Sequence, residues 1–240
     1  MYILAIETTG AYASVALTDG DKILAHVEGN DRFSHLQNLM PQVQQVMADA
    51  GLPLGDVTAI ATSVGPGSFT GIRIGVSSSR ALAQILDILC VPVSSLEALA
   101  MRAADFAKEE TIVCPMLDAR RSQVYAGAYK LVDGFPQEVV EAAPYTLEEF
   151  MNAVDQFDNV LIMGDGADSY GEKISAFRDK AFEIAPEEIR YQHANTVAIL
   201  GANKFNAKIG VPYEQLQPEY MRIPEAERKL KEEQAKKCQM

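Results

Sequence analysis

The sequence predicts an α/β fold of two lobes, in which the order of elements βββαβα occurs twice. Alternating and helical apolar patterns place strands and helices in this order, and the second series starts about 110 residues after the first. A chain of 240 residues with 48% apolar side chains can also bury a large core as one compact unit. Ordinary Rossmann winding would instead alternate single strands with helices.

A three-stranded meander opens the first series. Apolar alternation predicts strands over residues 2–7, 13–18 and 22–28. Small residues at Thr9-Gly10 form the first turn and Asp19-Gly20 forms the second.

A helix follows the meander. Apolar residues at helical spacing from Leu36 to Ala50 predict it, with Ser34 as the N-cap and Gly51 as the stop. Pro41 lies well inside this helix and should kink it or delay its regular start.

A buried strand, a glycine-rich loop and a long helix complete most of the first series. We predict the strand over residues 57–64, the loop over 65–71 and the mostly apolar helix over 72–89. A short strand at 91–93 and a helix capped by Ser95 end this half.

The second series repeats the order of the first. Two strands at 112–117 and 124–131 are followed by the turn Asp133-Gly134 and a third strand. A helix at 147–154, a strand at 159–163, a loop at 164–166 and a helix from Asp168 follow.

A last helix over 196–209 has Asn195 as its expected cap and stops at Gly210. Its small residues Ala198, Gly201 and Ala202 suit close packing across the lobes. We therefore divide the chain into an N-terminal lobe (1–108), a C-terminal lobe (109–192), a crossing helix and segment (193–222) and a charged tail (223–240), helical or disordered. Two βββαβα lobes around a cleft describe the architecture of actin-like sugar kinases and chaperone ATPases.

The charge of the chain argues against unaided binding of nucleic acid. The net charge is −12, and the tail from Glu225 holds five basic and four acidic residues, which leaves −13 for the rest. A protein that grips a phosphate backbone by itself normally presents a Lys/Arg surface.

Several absences indicate a soluble cytoplasmic protein without a membrane anchor. The start MYILAIETTG has no basic region before its apolar run, and no apolar stretch is long enough to span a bilayer. The three cysteines, Cys90, Cys114 and Cys238, have no metal-like spacing and suit a reducing compartment.

Two segments are candidates for nucleotide binding. The loop GPGSFTG, with Gly67 as its second glycine and Arg73 just beyond it, lies between a strand and a helix, where backbone N–H groups can bind anions. It lacks the GK[ST] of a Walker loop, and Pro66 removes one donor, so a structural turn is the alternative. Glu7, Thr8 and Thr9 stand where an ATPase of this architecture puts an acid and a phosphate-binding turn, although a retained scaffold feature explains them too.

Other chemistry has little support. Asp118 follows the first strand of the second half and is either a general base or the partner of Arg120 and Arg121 in a structural ion pair. No pair of histidines has metal-ligand spacing and no GxSxG motif occurs, so we expect neither a metal nor a cofactor, and no catalytic residue. The helix after Ser34 has an amide-rich face that suits a protein contact or an ordinary amphipathic helix.

Six segments together resemble the TsaB (YeaZ) family: MYILAIETTG, FSHLQNLMP, SVGPGSFTGIRIGVSSSRALA, DARRSQVY, MGDGA and PEYMR. The resemblance covers nearly all of residues 1–222, and GPGSFTGIRIG is its most specific part. It implies an actin-like fold and a role in forming N6-threonylcarbamoyladenosine (t6A) at position 37 of tRNAs that read codons beginning with A.

The resemblance also implies a non-catalytic role. TsaB-like proteins are paralogues of TsaD, the subunit that binds metal through a HxxxH pair and transfers the threonylcarbamoyl group. Here the matching stretch runs from His35 to Leu39, so the second histidine is absent. The implied partners are a TsaD-like catalytic subunit and a TsaE-like ATPase, with a homodimer as an alternative and tRNA contacted only through the complex.

In that family the first two long helices form a four-helix interface with TsaD or a second TsaB. The resemblance assigns that contact to twelve residues, namely Ser34, His35, Leu36, Leu39, Met40, Val43, Met47, Ile72, Arg73, Val76, Ser77 and Arg80. Two other functions stay open: a small ATPase or kinase that uses Glu7, Asp118 and the glycine loop, and a glycoprotease-like peptidase.

Overall fold

The computed structural model describes residues 1–32, 34–177 and 182–222. The predicted tail and Cys238 lie outside the described residues. In the described part, no helix combines the length and apolarity needed to span a membrane.

The first sheet has five strands in the order β3-β2-β1-β4-β5. Strand β1 pairs antiparallel with β2 and parallel with β4, so the opening meander joins a parallel half through its first strand. The strands are β1 (Tyr2–Glu7), β2 (Ser14–Asp19), β3 (Lys22–Glu28), β4 (Ala59–Gly65) and β5 (Leu89–Ser94).

Two helices cover one face of this sheet. α1 (His35–Ala50) and α2 (Phe69–Leu86) both contribute to a core with Leu4, Ile6 and Ile60. Both helices start near the carboxyl end of β1, beside the turn at Thr9 and Gly10. His35 Nε2, at the start of α1, lies 3.0 Å from the Gly10 carbonyl, and the Ser68 N–H, just before α2, donates to the Thr9 carbonyl at 2.9 Å. α1 leads back to the start of β4 and α2 to the start of β5, and these strands are parallel, so the two helices run in the same direction.

The second sheet repeats the topology of the first, with the order β10-β9-β6-β7-β8. Read from the other edge, its strands follow 8-7-6-9-10, which matches 3-2-1-4-5 position by position. The duplicated α/β fold predicted from the sequence is therefore confirmed. The elements are β6 (Ile112–Asp118), β7 (Gln123–Val132), β8 (Phe135–Thr146), α4 (Leu147–Val154), β9 (Val160–Met163), α5 (Asp165–Ser175), β10 (Glu183–Ile184) and α6 (Glu187–Arg190).

α3 (Ser95–Met101) lies between the two sheets. Ala98 and Met101 belong to the core behind the first sheet, whereas Leu96 and Leu99 pack with Val113 and other residues of the second sheet. α7 (Ala194–Asn206) packs against the first sheet and α3, and the residues after it reach the second lobe, where Arg222 donates to the Ala119 carbonyl.

Several predicted helix starts are wrong by one to three residues. α2 begins at Phe69, because Ser68 accepts the Gly71 N–H, and α3 is capped by Ser94, which accepts the Glu97 N–H. α5 begins at Asp165 directly after Gly164, so the predicted loop at 164–166 is its first turn.

The caps of α1 and α7 also differ from prediction. Ser34 precedes α1 but its side chain makes no capping hydrogen bond, and α1 continues through Pro41 as one helix. α7 is capped by His193 Nδ1, which accepts the Asn195 N–H at 3.1 Å, so Asn195 is a helical residue. The sequence patterns also missed β10 and α6, which are only two and four residues long.

Cys90 and Cys114 are buried free thiols, as predicted. Burial raises the pKa of Cys90 to about 11 and that of Cys114 still further. Neither thiol is a nucleophile near neutral pH.

Candidate functional site

Glu7, the last residue of β1, is fully buried, and both oxygens of its carboxylate accept hydrogen bonds from the chain itself. Oε1 accepts from the Thr9 N–H at 2.5 Å and from Thr9 Oγ1 at 2.6 Å, and Oε2 accepts from Ser63 Oγ. Burial raises the pKa of Glu7, and the hydrogen bonds from Ser63 and Thr9 oppose the increase. The carboxylate thus ties the end of β1 to β4 and is closed to solvent.

The glycine-rich loop lies directly on the turn after β1. Thr8 Oγ1 donates to the Gly71 carbonyl at 2.8 Å, and a Cβ on Gly71 would overlap the Thr8 carbonyl oxygen. A Cβ on Gly67, whose φ is +151°, would lie 2.7 Å from the Thr9 carbonyl oxygen. These glycines allow two backbone segments to touch. The contact supports the interpretation of this loop as a structural turn.

The structure therefore brings together four of the candidate nucleotide-binding residues, Glu7, Thr8, Thr9 and Gly67, in one tightly packed cluster. Thr8 and Thr9 are almost completely buried. The N–H of Ser68, which could have bound a phosphate, donates to Thr9 instead.

Arg73, the fifth candidate, lies on the exposed side of α2. Its guanidinium carbon is 3.8 Å from the centre of the Phe69 ring, and Nε donates to the Tyr220 hydroxyl at 2.9 Å. In the described part of the chain, no carboxylate forms an ion pair with Arg73. Its charge is thus held in place by two aromatic rings and faces outward.

Asp118, the sixth candidate, belongs to the other lobe and acts as a turn residue. Its Oδ1 accepts hydrogen bonds from the Arg120 N–H and the Tyr170 hydroxyl, both at 2.8 Å, and Oδ2 lies 3.5 Å from Arg120 Nη1. This geometry supports the ion-pair interpretation for Arg120. Arg121 is exposed and makes no ion pair with Asp118.

The histidines do not converge on a metal. His35 is buried against the Gly10 carbonyl, and burial lowers its pKa. His26 and His193 stack edge to face, with ring centres 5.3 Å apart. Within residues 1–32, 34–177 and 182–222, no three His, Cys, Asp or Glu side chains are grouped as metal ligands.

Half of the twelve predicted partner contacts are buried within this chain. Of these six, five are apolar and pack in the core between the first sheet and the helices α1 and α2, and His35 lies against the Gly10 carbonyl. The six are His35, Leu39, Val43, Met47, Ile72 and Val76.

The other six predicted contacts lie on or near the surface of α1 and α2: Ser34, Leu36, Met40, Arg73, Ser77 and Arg80. Leu36 is 77% exposed and is more exposed than Met40, the other apolar residue of these six.

Exposed residues recur every four positions on both helices and form what we call the outer stripes. The α1 stripe is Leu36, Met40, Gln44 and Ala48, and the α2 stripe is Phe69, Arg73, Ser77, Ala81 and Ile85. Ile85 is 79% exposed and was not predicted, because an isoleucine in an apolar helix resembles a core residue. The four-residue spacing from Arg73 and Ser77 was the signal that could have identified it.

Comparisons with known proteins agree with the resemblance seen in the sequence motifs. Residues 22–230 match the family model described as TsaD, tRNA N6-adenosine threonylcarbamoyltransferase. A Bacillus subtilis protein named tRNA threonylcarbamoyladenosine biosynthesis protein TsaB is 32% identical over 98% of this chain and 100% of its own length.

Two solved structures from Pseudomonas aeruginosa have a TM-score of 0.80 to this chain. One, YeaZ, is 30% identical over 91% of this chain and 99% of its own. The other, described as an uncharacterized protein with similarity to peptidase YeaZ, is 29% identical over 92% and 99%. A full-length relative at this identity, two solved neighbours with the same fold and the family model all agree: the chain belongs to the TsaB/YeaZ family.

Proposed function

We propose that this chain is a non-catalytic scaffold subunit required to form t6A at position 37 of tRNAs that read codons beginning with A. It acts in the cytoplasm by binding a TsaD-type catalytic subunit through the outer stripes of α1 and α2. The name of the Bacillus subtilis relative supports the pathway, and the TsaD-type family match supports the type of partner.

One observation carries the non-catalytic part of the proposal: the residues that would contact a nucleotide in an ATPase contact one another. Glu7 has both carboxylate oxygens bonded to Thr9 and Ser63, and Thr8 is bonded to Gly71. A ligand phosphate would have to displace these buried contacts, each of which costs about 1–3 kcal/mol when a polar group is left unpaired.

The outer stripes support the partner-binding part. Side chains repeated every four positions form a ridge that fits the groove of a facing helix, and small residues such as Ser77 and Ala81 permit close approach. Leu36 and Ile85 supply apolar surface that a partner would cover. Two parallel helices with such ridges suit a four-helix contact.

The charge of the chain and the family resemblance support our proposal for the wider assembly. With a net charge of −12, the chain is poorly suited to hold tRNA alone, so we place tRNA contact in the assembled complex. A TsaE-type ATPase would be recruited by the pair. A second copy of this chain could occupy the same stripes when the TsaD-type subunit is absent.

The test is reconstitution with purified partners. We expect the chain alone neither to hydrolyse ATP nor to modify tRNA, and to restore t6A formation when mixed with TsaD-type and TsaE-type proteins and threonylcarbamoyl-adenylate. The double variant Leu36→Glu/Ile85→Glu should weaken partner binding at least about a hundredfold, because two carboxylates would be desolvated in the contact.

Val139→Glu is the matched control, because Val139 is a 44% exposed apolar residue on β8, in the other lobe. It should bind like the parent chain. Undiminished binding by the stripe variant would contradict the assignment of the interface. Saturable ATP binding with turnover by the chain alone would favour the small ATPase or kinase, and metal-dependent proteolysis would favour the peptidase.

A further inference from the structure

Residues 216–222, which we call the strap, run from one lobe to the other after the short 3₁₀ turn at Tyr213–Gln215. Leu216 is buried in the core that α1 and α2 form on the first sheet. Met221 packs against the cluster that α3 shares with the second sheet. A segment of only seven residues thus contacts the hydrophobic cores of both lobes.

The strap is attached to the first lobe at the end of β4. The Glu219 N–H donates to the Val64 carbonyl at 2.8 Å, and the Glu219 carbonyl fills the space that a Cβ on Gly65 would need. Tyr220 packs on the same core and accepts the hydrogen bond from Arg73, with its ring centre 5.0 Å from that of Phe69.

The attachment to the second lobe lies just after β6. Arg222 Nη1 donates to the Ala119 carbonyl at 3.1 Å. The Arg222 charge also acts on Tyr125 of β7, where it opposes the rise in the pKa of the phenol that burial causes. The strap therefore ends against β6 and β7 of the second sheet.

The strap occupies the region in which proteins with open α/β sheets usually bind their ligands. Its middle residue, Glu219, meets the carboxyl end of β4, and its last residue, Arg222, meets the carboxyl end of β6. Each of these strands has a parallel neighbour in its own sheet. In open α/β folds ligands bind outside the carboxyl ends of the strands, and two-lobed proteins close around such ligands.

We propose that the strap takes the place of a cross-lobe ligand and holds the two lobes at one fixed separation. The chain then keeps a constant shape without any bound nucleotide. Through Tyr220 and Arg73, the strap also fastens this arrangement to the α2 outer stripe. This role of the strap depends on its contacts with both lobes and not on whether the outer stripes bind a partner.

The separation of the lobes can be measured between two spin labels, on Ala81→Cys in α2 and Glu172→Cys in α5, both exposed positions in different lobes. The labelled chain also carries Cys238→Ser, since Cys90 and Cys114 are buried. A chain ending at Leu216 should show a distance distribution at least about twofold broader than the full chain. A chain ending at Arg222 is the control and should match the full chain.

A second variant covers the case in which the shorter chain does not fold. The double substitution Tyr220→Leu/Arg222→Met removes the bonds to Arg73 and Ala119 and keeps the apolar packing, with Lys208→Met as an exposed control. Amide exchange in residues 59–71 and 112–123 should become about tenfold faster in the strap variant. A narrow, unshifted distance distribution in the shortened chain, or exchange rates equal to those of the control, would overturn the proposal.

Discussion

Thr8 and Gly71 are in direct contact through both backbone and side chain: Thr8 Oγ1 donates to the Gly71 carbonyl at 2.8 Å, and the Thr8 carbonyl occupies the space of a Cβ on Gly71. Gly71→Ala should therefore lower the free energy of unfolding by about 1–3 kcal/mol, because a backbone oxygen cannot move aside. Urea unfolding measures this loss.

Gly55→Ala is the matched control for Gly71→Ala. A Cβ on Gly55 would meet no atom within 4 Å, so its effect should stay within about 0.5 kcal/mol. Equal stability of the two variants would show that the loop does not pack on the β1 turn as described.

Val43 and Leu36 occupy opposite sides of α1 and should respond differently to a charge. Val43 is 4% exposed, so Val43→Lys should cost about 3 kcal/mol or more of folding stability by burying an ammonium group. Leu36 is 77% exposed, so Leu36→Lys should change stability by no more than about 0.5 kcal/mol. Thermal unfolding of both variants decides the matter, and a strongly destabilised Leu36→Lys would mean that the helix is rotated.

Because of the buried imidazole of His193, we expect the folded chain to be less stable in mild acid than at neutral pH. Burial, then the charges of Arg102 and His26, lower its pKa from 6.5 to about 4, although the Glu28 carboxylate lies 4.0 Å from Nε2. Between these two values the unfolded chain binds a proton that the folded chain does not. The free energy of unfolding should thus fall as the pH drops through this window, by up to about 3 kcal/mol.

The variant His193→Asn isolates this effect, because asparagine still offers an oxygen to cap α7 but does not titrate. Urea unfolding from neutral pH down to pH 4 should show a shallower decline for the variant than for the parent. Parallel curves would assign the acid sensitivity to other groups.

Glu7→Gln separates a scaffold from an ATPase. The amide oxygen can still accept from Thr9, and the Ser63 hydroxyl can turn to accept from the amide nitrogen, so we expect a folded chain that supports t6A formation. Glu7→Ala should instead destabilise the fold by about 1–3 kcal/mol, since it leaves the Thr9 and Ser63 donors unpaired. If t6A, measured by mass spectrometry, disappears with a folded Glu7→Gln chain, Glu7 takes part in chemistry.

Much of the fold could be predicted because its patterns are local. The turn at Asp133-Gly134 and the helix at Leu147–Val154 depend on neighbouring residues, and both lie where the sequence predicts them. Helix starts are harder to predict, because adjacent or nearby polar residues can all act as caps: Ser94 and not Ser95 accepts the Glu97 N–H, and His193 and not Asn195 caps α7.

The residues of the candidate site could be predicted only in part from the sequence, for a different reason. Periodicity identifies which residues share a helix face, but it does not say which face meets the sheet. Val43 and Met47 share one side of α1 with the core, whereas Met40 lies on the outer stripe. The contacts of Tyr220 with Arg73 and Phe69 join residues about 150 positions apart, and no local pattern records them.

Because α3 lies between the two sheets, we expect it to couple the unfolding of the two lobes. Ala98 and Met101 pack in one core, while Leu96 and Leu99 pack in the other. Dividing the chain between the lobes would therefore expose one apolar side of this short helix to solvent. Neither fragment would then retain a complete interior. Calorimetry of the intact chain should accordingly record a single melting event, in which both sheets lose their order together.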